Sequence, residues 1–215
     1  MKINNIQKQQ ILKTLYVKKL CGIQYHSYIE SASKMESIVD LPNDLKTLNQ
    51  YIYNCHLCEL SKHKSETFLG IGDINSAIWI IGTNTNYKDS VLYTMLQNMV
   101  QKVLFVNIST IFITNILKCY TTNYNIQKEQ IQKCIPFIKK QLEIVKPKLI
   151  ITLGEAYEYL TDKNIDLKQN SGTISNYDDR YIVPLMDLEF VLKNPSYKVK
   201  MFQDLKKIKT IMEEL

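Results

Sequence analysis

No stretch of this sequence approaches the run of about 20 apolar residues needed to cross a bilayer, which argues against a membrane-embedded chain. The basic N-terminal stretch MKINNIQKQQILKTLYVKKL scatters its apolar residues among Lys and Gln. It lacks the continuous apolar region of a secretory signal, so a cytoplasmic protein is expected. Histidine is scarce: His26, His56 and His63 are the only three, and none lies in the C-terminal strand or helix. Arginine is nearly absent, Arg180 being the one exception among 27 basic residues. Asn, Ile, Tyr and Lys are all frequent, the mark of a biased codon pool, so the net charge of +6 carries little weight by itself. Its placement carries more. Lys193, Lys198, Lys200, Lys206, Lys207 and Lys209 face only Asp204 between Val191 and Lys209, a strip that suits a polyanion or a solvated helix face. There are five cysteines. In a reducing compartment a spaced set of this kind is read as a metal site before it is read as disulfides.

At 215 residues the chain is expected to form one main domain over residues 44–215, with a helical N-terminal extension over 1–43. Within the extension, Ile6, Ile11, Leu12, Leu15 and Leu20 recur at helical spacing. Cys21 is a lone thiol, expected to be inert, and residues 22–43 read as a connector. A second helix is expected from Asp44 to Tyr53. Phe68–Asp73 reads as a turn, its Gly-x-Gly a weak nucleotide signal because no helix follows directly. Apolar runs mark strands at Ala77–Gly82, Thr110–Ile116, Lys148–Leu153 and Arg180–Met186. Pro184 within the last run suggests an edge or a strand end. Helices are expected near Ser90–Lys102, Gln127–Val145, Glu155–Thr161 and 199–215. This alternation predicts an α/β fold, a three-layer αβα sandwich with a central four-stranded parallel sheet. Sites in such sheets gather beyond the carboxyl ends of the strands. Three of the four strands end in or lead to an amide, namely Asn84, Asn115 and Asn194.

Cys55 and Cys58 form a Cys-x2-Cys hairpin. Cys119 follows a strand, and Cys134 comes after fourteen intervening residues, on a helix. Four thiolates so placed can close around Zn²⁺ or around an iron–sulfur cluster. His56 lies within the hairpin and is expected to face solvent.

The hairpin, the strand ending at Gly82, the sequence TNILKC with Cys134 after it, KPKLIITLG and a final strand with a Pro-Ser loop together resemble the iron–sulfur (family 4) uracil-DNA glycosylases. The resemblance covers roughly Leu48 to Ile208. It implies that Cys55, Cys58, Cys119 and Cys134 ligate a structural 4Fe–4S cluster, with zinc the alternative. It implies that Asn115 hydrogen-bonds a flipped-out uracil, whose adjacent N–H and C=O suit a carboxamide. The family's first motif reads Gly-Glu-Ala-Pro-Gly; here it is Gly82-Thr83-Asn84-Thr85-Asn86, without the Glu. The segment carrying the family's stacking Phe is shortened, with Tyr87 or Tyr93 as substitutes. The family's His-Pro-Ser is matched to Asn194-Pro195-Ser196. These departures are similar to the mismatch-specific uracil/thymine glycosylases, which use Gly-x-Asn-Pro-Gly and Asn-Pro-Ser.

On that likeness Asn84 positions the attacking water and Asn194 donates to the departing base. Gly82, Thr83, Asn86, Tyr87 and Ser196 complete the base pocket. Val199 or Met201 fills the vacated base stack, and Lys198 and Lys200 hold phosphates of the DNA partner. A monomer is expected. The expected activity is hydrolysis of the N-glycosidic bond of uracil, or of a related deaminated base, in DNA. The alternative is an inactive glycosylase fold that binds DNA or a protein. A redox sensor stands further behind.

Overall fold

The computed structural model describes residues 41–121 and 125–213. The helix expected over residues 5–20, Cys21 and nearly all of the connector lie outside them. Asp44 caps the first described helix, α1 (Leu45–Tyr53), by accepting from the Thr47 N–H at 2.8 Å, as short acidic side chains do at helix starts. A short helix α2 (Leu60–His63) follows. β1 (Glu66–Thr67) and β2 (Ile71–Gly72) lead to β3 (Ile78–Gly82). Helix α3 (Ser90–Asn98) then runs on as a π-helical turn, Met99–Leu104. β4 (Phe112–Asn115), β5 (Cys119–Tyr120), α4 (Lys128–Val145) and β6 (Leu149–Leu153) come next. Lys146 ends α4 in the left-handed conformation and Pro147 blocks its continuation. After β6 lie α5 (Ala156–Thr161), α6 (Leu167–Asn170), β7 (Ser175–Tyr177), β8 (Arg180–Leu185), α7 (Leu188–Lys193) and α8 (Tyr197–Met212).

The main sheet has the order β2-β4-β3-β6-β8-β7. Its four central strands, β4, β3, β6 and β8, are parallel, as the apolar runs predict. Antiparallel β2 and β7 are added at the two edges. Neither edge strand is foreseen from the sequence. β2 is two residues inside the stretch read as a turn, and β7 alternates without a strong apolar face. Pro184 sits inside β8, but β7 reaches only to Ile182, so the proline lies where the edge partner has ended. That agrees with its missing donor.

Alternate residues of the central strands feed two cores. Ile80, Ile113, Ile151 and Val183 pack against α3, α7 and α8 on one face. Trp79, Phe112, Ile150 and Ile182 pack against α4 and α5 on the other. α1 adds a smaller cluster, Leu48 and Ile52 on Phe137 of α4. The result is the expected three-layer sandwich. Among the described residues no helix is long and apolar enough to cross a membrane.

One buried carboxylate ties α8 to the segment between α6 and β7. Asp204 is 1% exposed; it accepts from Ser171 Oγ at 2.8 Å and from Lys207 Nζ at 3.1 Å. Removing it leaves a buried hydroxyl unsatisfied. Asp204→Ala is therefore expected to lower stability by about 2 kcal/mol, read as a fall in the urea midpoint. An unchanged midpoint would show that the carboxylate's own burial cost cancels its bonds.

Candidate functional site

The loop after β3 and the segment after β4 run side by side beyond the strand ends. Ile116 N–H donates to the Gly82 carbonyl at 2.8 Å and Leu117 N–H to the Thr83 carbonyl at 3.1 Å. This sets Asn115, 2% exposed, beside the Gly82–Tyr87 loop. Its carboxamide is engaged at both ends by one residue: Nδ2 donates to the Thr85 carbonyl at 2.9 Å, and Oδ1 accepts from the Thr85 N–H at 3.2 Å. Tyr87 is buried and stacks on Phe68, with ring centres 5.6 Å apart. Burial lifts its phenol well above the ordinary tyrosine range. Asn84 is half-buried on the same loop, and the Asn86 Oδ1 accepts from the Lys88 N–H at 3.0 Å.

A cavity of about 430 Å³ opens at the carboxyl ends of β3, β6 and β8, within the size range of small-ligand sites. Thr83, Gly154, Glu155, Asp166, Met186, Asp187 and Phe190 line it. Asp187 follows β8 by two residues and caps α7, its Oδ1 accepting from the Glu189 and Phe190 N–H groups at 2.8 and 3.2 Å. Gly154, at φ +60°, lets Asp187 approach; a Cβ there would stand 3.1 Å from the Asp187 Cβ.

Several expected site residues lie elsewhere. Asn194 is not at the end of β8: the six-residue helix α7 intervenes, and Asn194 ends that helix with its Nδ2 on the Phe190 carbonyl at 2.9 Å. Tripeptide matching missed this because it ignores the helix between strand and motif. Asp187 stands at the strand end instead. Its signal in the sequence was its place directly after the apolar run RYIVPLM. Met201 is 3% exposed and packs in the core, so it is not the wedge. Val199, two residues earlier in α8 and so on the opposite face, is 65% exposed. Ser196 and Lys198 are exposed, and Lys200 pairs with Asp204 at 3.9 Å.

The four thiols come from four places. Cys55 and Cys58 lie on the loop between α1 and α2, Cys119 on β5, and Cys134 on α4. Pairing of β1 with β5 sets Cys119 opposite Thr67. Cys119 and Cys134 are buried, Cys55 and Cys58 are half-buried, and none of the four is in a disulfide. Burial pushes the Cys134 thiol up to about 12, and the charges of Cys119, Cys58 and Cys55 push the same way. The four sulfurs thus lie within electrostatic reach of one another. The backbone N–H of Lys118 donates toward the Cys134 sulfur, and the Lys64 ammonium favours the Cys119 thiolate. Lys118 itself is 2% exposed, with Nζ on Thr114 Oγ1 at 2.9 Å, and burial draws its ammonium down to about 7. Among the described residues no group of three or more His, Cys, Asp or Glu is placed so as to hold a metal ion. His56 is exposed, as expected.

Residues 69–206 match the family model described as the uracil DNA glycosylase superfamily. A protein of Sulfurisphaera tokodaii named type-4 uracil-DNA glycosylase is 22% identical over 79% of this chain and 85% of its own length. Its namesakes from Saccharolobus solfataricus and Archaeoglobus fulgidus are 24% and 25% identical, over 78% and 82% of this chain and 86% and 80% of their own. The matched segment contains the sheet, the cavity and two of the four thiols, and it covers more than half of the sequence. This chain belongs to the uracil-DNA glycosylase superfamily.

Proposed function

We propose that this protein is a DNA glycosylase that hydrolyses the N-glycosidic bond of uracil, or of a related deaminated base, in DNA. The observation that carries the reading is the cavity at the carboxyl ends of three parallel strands, which brings the Asp187 carboxylate and Thr83 together beside the loop that holds Asn115. In this reading the target nucleotide leaves the duplex and enters the pocket. Asn115 recognises the N–H and C=O of the base edge. Bond breaking leaves an oxocarbenium-like sugar and a base anion. A carboxylate stabilises the cation and would repel the anion, so Asp187 serves the sugar side. It takes a proton from the water that adds to C1′, and the base leaves with a proton from solvent. Asn84 orients that water. Asn194, a helix away from the strand end, has no part in these steps.

Cys55, Cys58, Cys119 and Cys134 would hold a 4Fe–4S cluster. The group would supply a structural staple joining the α1–α2 loop, β5 and α4. Lys198 and Lys200 would contact phosphates and make binding salt-dependent and sequence-tolerant; Val199 is the exposed apolar residue beside them. A second reading, a DNA-binding protein without catalysis, is favoured by the engaged state of Asn115.

The deciding experiment is base excision by anaerobically purified full chain on labelled oligonucleotides with uracil, single-stranded or opposite G or A. Alkali-labile sites at uracil are the expected result. Retained DNA binding with no alkali-labile site on any substrate would select the second reading.

A further inference from the structure

Asn115 is the group assigned above to read a base, and the inference here rests on that assignment. Its reading edge is already occupied. The Thr85 backbone presents an N–H to Oδ1 and a C=O to Nδ2, the same donor–acceptor pair that a uracil edge offers. Both residues are buried, Asn115 at 2% and Thr85 at 5% exposure. The contact is therefore shielded from competing water.

The Gly82 side of the contact is filled. A methyl group built at Gly82 would crowd Thr85 Oγ1 and stand 2.6 Å from Asn115 Oδ1 and 2.9 Å from Tyr87 Oη. Thr85 Oγ1, Asn115 Oδ1 and Tyr87 Oη thus converge on the Gly82 Cα. The buried Tyr87 ring packs on Phe68, and the Tyr87 N–H returns to the Thr85 carbonyl at 3.1 Å to fold the loop tight. The open cavity is lined by Thr83, while Asn115 does not border it.

We infer that the Thr83–Tyr87 loop is an internal plug, and that Thr85 is the specificity-determining residue that sets whether Asn115 can read a base. A base with adjacent N–H and C=O groups enters only when the Thr85–Asn115 pair opens. Apparent affinity is then reduced by the fraction of molecules that are open. The decisive atom is the Thr85 N–H. Proline has none, and proline stands at this place in both motifs to which the loop was compared. With proline at 85, Oδ1 of Asn115 would be left free to accept from a base.

Two measurements test this on the cluster-loaded full chain. In the first, Thr85→Pro is compared with wild type for excision of uracil from a single-stranded oligonucleotide and for binding of free uracil. Losing one hydrogen bond from the closed state is expected to raise both on the order of tenfold. A folded Thr85→Pro protein indistinguishable from wild type in both assays would overturn the plug. The second needs no variant. Amide hydrogen exchange at Thr85 is expected to be slow in the free protein. It should quicken when an oligonucleotide bearing 2′-fluoro-2′-deoxyuridine, which resists hydrolysis, saturates the protein. Saturation that leaves the Thr85 amide equally protected would overturn the plug even if Thr85→Pro fails to fold. If wild type excises uracil at the Thr85→Pro rate, the glycosylase reading stands and the plug falls. If neither protein binds or excises uracil, both fall together.

Discussion

Replacing Cys134 with Ala is expected to strip the protein of iron and of much of its stability. Anaerobically purified wild type should be brown, with broad visible absorbance and about four irons per chain, as a 4Fe–4S cluster requires. Cys134→Ala should lose that absorbance and at least about 3 kcal/mol of stability, because a bound metal centre contributes its binding energy to folding. The reasoning is topological. Cys55 and Cys58 lie on the loop that joins α1 to α2, and α1 otherwise rests on α4 through the small cluster of Leu48, Ile52 and Phe137. Cys134 is the thiol on α4 itself, and burial holds it at about 12. A metal centre would bind it as the thiolate, so binding and folding are linked. Cys21→Ala is the control and should keep full colour. A colourless wild type carrying one zinc per chain would sink the cluster assignment, as would a Cys134→Ala protein that stays brown.

Asp187→Asn is expected to lower uracil excision by about a hundredfold or more, the usual contribution of a positioned acid or base, while leaving stability within about 0.5 kcal/mol. The two effects separate because Asn caps a helix as well as Asp does, so the bonds to the Glu189 and Phe190 N–H groups survive. What is lost is the charge facing the cavity. Asp187→Ala should lose activity and also about 1 kcal/mol for the cap. Asn194→Ala is the contrasting variant. Its amide serves only the end of α7 in this account, so excision should stay within twofold. Single-turnover rates decide the matter. Full activity in Asp187→Asn, or loss of activity in Asn194→Ala, would return the catalytic role to the Asn-Pro-Ser tripeptide.

The contrast between these two residues explains what was legible. The four parallel strands were visible because a strand buried on both faces is a continuous apolar run, as AIWIIG and KLIITL are. The thiols were visible because their spacing is a chemical pattern that needs no fold to recognise. Edge strands β2 and β7 were not visible, since two or three half-exposed residues carry no periodicity. Asn194 was misplaced because Leu188–Lys193 is a single helical segment too short to announce itself, yet long enough to carry the tripeptide away from the strand end. Met201 was chosen as a wedge by its position after the motif; only the packing of α8 shows that its side chain is in the core and that Val199 faces out.

By itself, the sequence determined the α/β class and the order of the central strands' segments along the chain, and it singled out four thiols and Asn115 as candidates. These follow from local composition and spacing, which the chain carries before it folds. Only the tertiary structure decided which carboxylate borders the cavity and what Asn115 touches. Asp187 meets Thr83 and Gly154 because β8 lies beside β6, and β6 beside β3. Thr85 meets Asn115 because β3 and β4 are parallel neighbours in register, Gly82 opposite Asn115. Such contacts join residues about thirty or more positions apart, and no local pattern encodes them.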